Sequence, residues 1–274
     1  MQITPRHLHV LCRAAFTIVL FAGVALRAHG ARAGAFNQEE GKGQVIVTGM
    51  FSTADQGYDV TGKLTAASRF QKSEATALVE YGFTNWLTGI VKPSIIDWRL
   101  SGAPSAAYTG LGATEIGAQA QLYRQGPFAF AVQAMARIPG APDSSNLTLQ
   151  GNTRVEEELR ALAGYGFQLG SWSSFANAEI GYRWRNGPPS EWHGDFTLGV
   201  RPVEKVMLML QSFNTISGPS TSVIFPRNSL SKLQGSIVYD FTKAISGQIG
   251  AFESIAGENA LKERGVIAAV WYRF

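Results

Sequence analysis

The chain has 274 residues, with 24 Lys and Arg against 20 Asp and Glu, four His and one Cys, for a formal net charge of +4. The whole excess lies in residues 1–33, where Arg6, Arg13, Arg27 and Arg32 stand without an acid, so the remainder holds 20 basic and 20 acidic side chains. Cys12, His7, His9 and His29 lie in the same stretch, leaving His193 as the sole histidine beyond it, which excludes thiol catalysis, Cys/His metal sites, disulfides and a basic nucleic-acid footprint there.

The opening stretch reads as a secretory signal. Arg6 and Arg13 flank a polar start, and Ala14 to Leu26 is an apolar run short of the roughly 18 residues a membrane helix needs. Ala31-Arg32-Ala33 then puts small residues at the two positions a signal peptidase reads. Cleavage is expected after Ala33 or one or two residues beyond. Residues 34–43 then form a short periplasmic extension, and 44–274 the folded body.

From Gln44 onward, residue character alternates at period two and resets at Gly, Pro or Asn clusters, which is the strand signal. The predicted strands are Gln44 to Thr53, Arg69 to Phe83, Trp86 to Arg99, Gly112 to Arg124, Phe128 to Ile138 and Arg154 to Phe167. Ser173 to Arg185, Glu191 to Arg201, Val206 to Ser217, Leu230 to Phe241, Ile245 to Ile255 and Glu263 to Phe274 complete the set. Pro93 removes one ladder hydrogen bond and predicts a bulge or break inside its strand. Tight connections such as Thr84-Asn85 and Gln125-Gly126-Pro127 alternate with longer ones at Ala54 to Ser68, Leu100 to Leu111, Pro139 to Thr153 and Gly218 to Ser229.

No stretch after the signal is apolar enough for a membrane helix, and only helices and closed barrels satisfy every backbone polar group in hydrocarbon. Short turns on one rim, longer loops on the other and an even strand count predict an all-β fold. The expected architecture is an antiparallel transmembrane barrel of 12 strands, with tight periplasmic turns and longer extracellular loops, in a Gram-negative outer membrane. A soluble sandwich would also alternate, but Tyr81, Phe83, Trp86, Phe128, Tyr165, Phe167, Tyr239 and Phe241 cluster beside the tight turns, as in an interfacial girdle. At the end, Val266, Ala268, Val270, Tyr272 and Phe274 alternate as one lipid-facing side, and the pattern resembles the barrel-assembly signal of outer-membrane proteins.

The inward parity collects charge. Glu115, Arg137, Glu156, Glu158, Arg160, Glu179 and Arg183 are the core of a lumen-lining network, joined by Lys72, Glu74, Glu80, Arg154, Arg185, Asp195 and Lys232. Two readings stand: a salt-bridged plug that stabilises a narrow barrel, or a polar passage for neutral or zwitterionic solutes. His193 shares the parity of Asp195 and Arg201 and has no Ser two residues on, so the surface His/Ser pair of an outer-membrane phospholipase is missing. No catalytic residue, cofactor or metal is expected.

Gly41 to Gly49, Phe51-Ser52, Tyr58-Asp59, Lys72 to Ala75 and Glu80-Tyr81-Gly82-Phe83-Thr84-Asn85-Trp86-Leu87-Thr88 together resemble the XagA family of exported proteins. The Tyr-Gly-Phe-Thr-Asn turn is also similar to turns of the outer-membrane family named for the meta-pathway of phenol degradation. The first resemblance implies a non-enzymatic channel or secretion component for exopolysaccharide and biofilm matrix. Its partners would be outer-membrane lipids, the barrel-assembly machinery, and the exopolysaccharide with its inner-membrane synthesis complex. A closed structural or adhesion barrel with ligand-binding external loops is one alternative. A facilitator of small hydrophobic or aromatic solute uptake is the other.

Overall fold

The computed structural model describes residues 34–102, 105–140, 154–223 and 225–274. The signal segment 1–33 and the loop predicted at 139–153, from residue 141 on, lie outside the described residues. The strands in chain order are β1 (Gly43–Tyr58), β2 (Leu64–Thr84), β3 (Leu87–Lys92), β4 (Ser94–Ser101), β5 (Ala106–Leu111), β6 (Thr114–Gln125), β7 (Phe128–Ile138) and β8 (Glu156–Leu169). They continue with β9 (Trp172–Trp184), β10 (Glu191–Val203), β11 (Val206–Ser217), β12 (Ser229–Asp240), β13 (Ile245–Glu258), β14 (Ala260–Leu261) and β15 (Arg264–Arg273).

Neighbouring strands are antiparallel throughout. β15 closes the sheet on β1, with Gln44 opposite Arg273 and Thr53 opposite Arg264, while the other edge of β1 pairs with β2. β3 with β4, and β5 with β6, are each two lengths of one wall strand, and β14 is a two-residue rung against the outer end of β1. The chain is therefore a closed antiparallel barrel of twelve wall strands. Closure leaves the lipid-embedded backbone no open edge to satisfy.

The break at Pro93 falls where the sequence predicts one, but the extra residue sits opposite it. Lys92 faces Glu115 and Ile95 faces Leu111, so Pro93 and Ser94 are matched by Gly112, Ala113 and Thr114. The Pro93 carbonyl still accepts a bond from Ala77 N at 3.1 Å, and Ser94 Oγ covers the Ala113 carbonyl at 2.9 Å.

Two predicted loops are corrected. β1 runs to Tyr58 and β2 starts at Leu64, where a loop over Ala54 to Ser68 is predicted, and β5 occupies Ala106–Leu111 at the end of the predicted Leu100 to Leu111 loop. These extensions carry polar and small side chains on their outer side, such as Asp55 and Thr109. A wall that rises beyond the bilayer needs no greasy face, so the alternation fades while the pairing continues. The connection that remains, residues 59–63, is an Asx turn: Asp59 Oδ1 accepts from Thr61 N and Oγ1, both at 2.7 Å, and from Lys63 N at 3.0 Å.

The outer face is apolar. Ile249, Leu122, Ile180 and Val270 are each more than half exposed, an arrangement that water would penalise and hydrocarbon does not. Rings at the short-turn rim meet along and across strands, Tyr81 with Phe83 of the same strand at 5.3 Å and with Phe274 at 6.5 Å between centroids. A second group, Tyr182 with Trp184 and Trp192 at 5.0 and 4.9 Å, lies at the opposite end of the wall.

Candidate functional site

The lumen is where the unusual chemistry collects. Strand register arranges its charges in rows of alternating sign. Across β3, β6, β7 and β8, Lys92 faces Glu115, Glu115 faces Arg137, and Arg137 faces Glu156. Across β8, β9 and β10, Glu158 faces Arg183 and Arg183 faces Glu191. Because directly opposed side chains of adjacent strands lie within contact reach, this register makes ion pairing local.

The contacts follow. Lys92 Nζ is 3.0 Å from Glu115 and Arg137 NH1 is 3.1 Å from Glu156. Arg185 bridges Glu156 at 2.8 Å and Glu191 at 2.9 Å, and Arg183 reaches Glu158 at 2.6 Å and Glu191 at 3.2 Å. Arg160 binds Glu158 and extends to Glu179 at 3.3 Å and Asp195 at 3.2 Å. It can cross only because position 181 is glycine: a Cβ there would lie 2.7 Å from Arg160 Cγ. The Glu156 side chain is fully enclosed and sits among three guanidiniums, the farthest being Arg183 at 3.8 Å.

All seven residues singled out as the lumen network thus lie in one belt, and Arg185 and Asp195 join it. Lys72 pairs separately with Glu74 at 3.2 Å, and Lys232 with Glu263 at 3.0 Å. Sequence reasoning missed Lys92 and Glu191. Lys92 carries the parity of inward Thr88 and Ile90, and Glu191 that of His193 and Asp195, so both were findable. His193 faces the lumen, with Nε2 3.0 Å from Glu191 Oε1. Val266, Ala268, Val270, Tyr272 and Phe274 face outward.

On the opposite side of the lumen, between the Lys232–Glu263 pair and an Arg201–Asp240 pair at 2.7 Å, the lining is a ladder of neutral amides. Gln234 Nε2 donates to Gln211 Oε1 at 2.9 Å, Gln211 to Thr197 Oγ1 at 3.3 Å, and Trp271 Nε1 to Gln248 Oε1 at 3.0 Å. The lumen therefore has a charge-dense wall on β6–β10 facing a wall on β11–β13 with fewer charges and a central run of amides. With Glu115, Glu156, Glu158, Glu179, Glu191 and Asp195 set against Lys92, Arg137, Arg160, Arg183 and Arg185, the belt is nearly self-neutralised.

Below the belt the bore narrows. Met207, Met209, Val238, Ala269 and Trp271 cluster with Ile46 and Phe175 inside the short-turn end. Residues 34–42, predicted as an extension on that side, fold into the mouth of the barrel. Ala35 and Phe36 pack on Ala129, Ala131 and Leu162. Asn37 and Gln38 bond to Gln119, Gln121, Thr88 and Glu80. Between this segment and the belt lies a cavity of about 230 Å³, lined by Gly34, Ile46, Glu80, Ile90, Met135 and Leu162 below and by Lys92, Glu115, Arg137 and Arg160 above.

Comparison with solved structures places this architecture. The crystal structure of an outer-membrane channel from Pseudomonas putida F1 superposes with a TM-score of 0.68 at 16% identity, covering 89% of this chain and all of that one. The fold is that of an outer-membrane barrel. The NanC porin matches at TM-score 0.52 and 8% identity over 83% of this chain and 98% of its own. The β domain of the Bordetella autotransporter BrkA matches at 0.53 and 13% over 86% of this chain and 100% of its own. No protein-family model and no curated protein matches the chain.

Proposed function

We propose that the protein is a non-enzymatic outer-membrane channel whose lumen passes small polar solutes, neutral or zwitterionic, past a self-neutralised charge belt. The observation that carries this reading is the pairing itself. Guanidiniums and carboxylates opposed strand by strand present hydrogen-bonding groups with little net charge, which favours neutral polar molecules over either sign of ion. The amide ladder opposite supplies donors and acceptors of the same neutral kind. Channels and porins among the structural neighbours agree with this reading.

Export of an exopolysaccharide rests on the sequence resemblance. The cavity of about 230 Å³ between residues 34–38 and the belt has room for a small polar solute. The lumen belt also disfavours the facilitator of hydrophobic solutes, since an apolar molecule entering it would strip water from charged groups without replacing their bonds. An adhesion barrel would place its chemistry in the external loops instead of the bore.

Liposome swelling with neutral solutes of increasing size tests the proposal. Swelling is expected with small zwitterions and monosaccharides, with a sharp cut-off above them. Equal rates for oligosaccharides would favour the polymer reading, and swelling absent even for glycine would contradict a passage.

A further inference from the structure

Four acids line the cavity beneath the belt: Glu80, Glu115, Glu158 and Glu179. Three of them hold a cation. Glu115 has Lys92 at 3.0 Å, Glu158 has Arg183 at 2.6 Å, and Glu179 has Arg160 at 3.3 Å. Glu80 has none among the described residues. Its contacts are two buried amides: Gln38 Nε2 and Gln44 Nε2 donate to the same oxygen, Oε2, at 2.9 and 2.6 Å. Two N–H groups converging on one oxygen hold the carboxyl in place and leave Oε1 for another donor.

Much of the remaining cavity wall is apolar. Ile90 stands opposite Glu80 on β3, and Ile46, Leu78, Met135 and Leu162 join it in the lining. Lys92 is the next inward position of β3, roughly 7 Å further along the strand. Its ammonium is partly exposed and pairs with Glu115 alone among the described residues, so it has N–H groups to spare. The cavity thus offers an anionic acceptor at one end, a cationic donor at the other and a greasy stretch between them. A sugar presents hydroxyls on every side, and those turned to Ile46, Leu78 and Ile90 would lose water without gaining a bond. A methylene chain with an ammonium at one end and a carboxylate at the other meets each part of the lining with its match.

We propose that this cavity is a binding subsite for a zwitterion of the ω-amino acid type, its ammonium on Glu80, its carboxylate on Lys92 and its methylene chain against Ile46, Leu78 and Ile90. The ammonium supplies the countercharge that an enclosed carboxylate without a cation lacks. The spacing of the two ends selects by length, because an α-amino acid carries both charges on one carbon and reaches only one end. The subsite names the solute class of the passage proposed above and rests on that reading.

Two measurements on the full-length exported protein test it, with heat-modifiable gel mobility as the check that each variant is folded. Isothermal titration calorimetry in detergent should show saturable binding of 5-aminopentanoate to the parent, weakened about tenfold or more by Glu80→Gln and by Lys92→Met. Glycine should bind the parent more weakly by a similar factor. Glu74→Gln removes an acid that pairs with Lys72 outside the cavity, and it should leave the affinity as in the parent. In liposome swelling, the ratio of the 5-aminopentanoate rate to the xylitol rate should fall in Glu80→Gln as the affinity does. Absence of binding to the folded parent, or an affinity that Glu80→Gln leaves intact or Glu74→Gln lowers equally, would overturn the subsite while swelling reports on the passage alone. Binding that depends on Glu80, with swelling by neither solute, would contradict the passage and leave the subsite as a closed binding site.

Discussion

At the scale of single residues, Glu156 is the position on which most of the belt converges. Its enclosed carboxylate holds Arg137 at 3.1 Å and Arg185 at 2.8 Å. Removing one partner of a buried ionic cluster leaves the others uncompensated and costs about 3–5 kcal/mol, whereas an exposed pair is worth ~0.2–1 kcal/mol. Glu156→Gln should therefore lower the urea midpoint of the barrel in detergent far more than Glu253→Gln, whose partner Lys262 lies 3.1 Å away at the surface. Equal midpoints would mean the belt does not hold the wall together. Asp59 makes a second residue-level prediction. Its carboxyl is held below the ordinary aspartate range, first by the Thr61 hydroxyl and then by the Lys63 and Thr61 amides. A depressed folded pKa contributes stability above the unfolded value near ~3.9 and loses it as pH falls through the folded one. Protease cutting at residues 59–63 should stay flat from neutral pH to about 5 and rise only in stronger acid. Asp59→Ala should show the raised rate at every pH, and a rate independent of both changes would dismiss the turn as a stabilising element.

Element by element, strand existence was legible because a lipid-facing strand must alternate, and each wall strand crossing the bilayer does. What the pattern concealed was length beyond the bilayer, as at Ala54 to Tyr58, where no apolar side is demanded of a wall standing in water. It also concealed the bulge partner of Pro93. Proline advertises itself in a sequence, but the extra residue in Gly112-Ala113-Thr114 is read only from the shift between two registers. That bulge reverses the facing of β5 relative to β6, so Leu111 and Thr109 lie outside while Glu115 lies inside. Deleting Ala113 should cost the folded population on heat-modifiable gels, because a one-residue slip exchanges the two faces of everything on one side of it. Pro93→Ala should be nearly silent by the same measure. If the proline change were the damaging one, the break would belong to proline and not to the register.

For the whole molecule, closure and charge distribution are coupled. Twelve strands bring β3 and β6–β10 round so that their inward charges face an amide wall, and the pairs are satisfied along the wall before anything reaches across. The sequence could give the sign and parity of Glu115, Arg137, Glu158 and Arg183. It could not give the folding of residues 34–38 into the mouth, since Gly-Ala-Phe-Asn-Gln has no periodicity and its place is set by the small residues Ala129, Ala131 and Gly164 on strands far along the chain. The most direct measurement of the central claim is the reversal potential of single channels under a potassium chloride gradient, comparing the parent with Arg160→Gln and Glu158→Gln. A self-neutralised lumen predicts a small conductance and a reversal potential near zero in the parent, displaced toward cation selectivity by the arginine change and toward anion selectivity by the glutamate change. A parent already strongly selective, or variants that leave the reversal potential where it was, would contradict a solute path running through the belt.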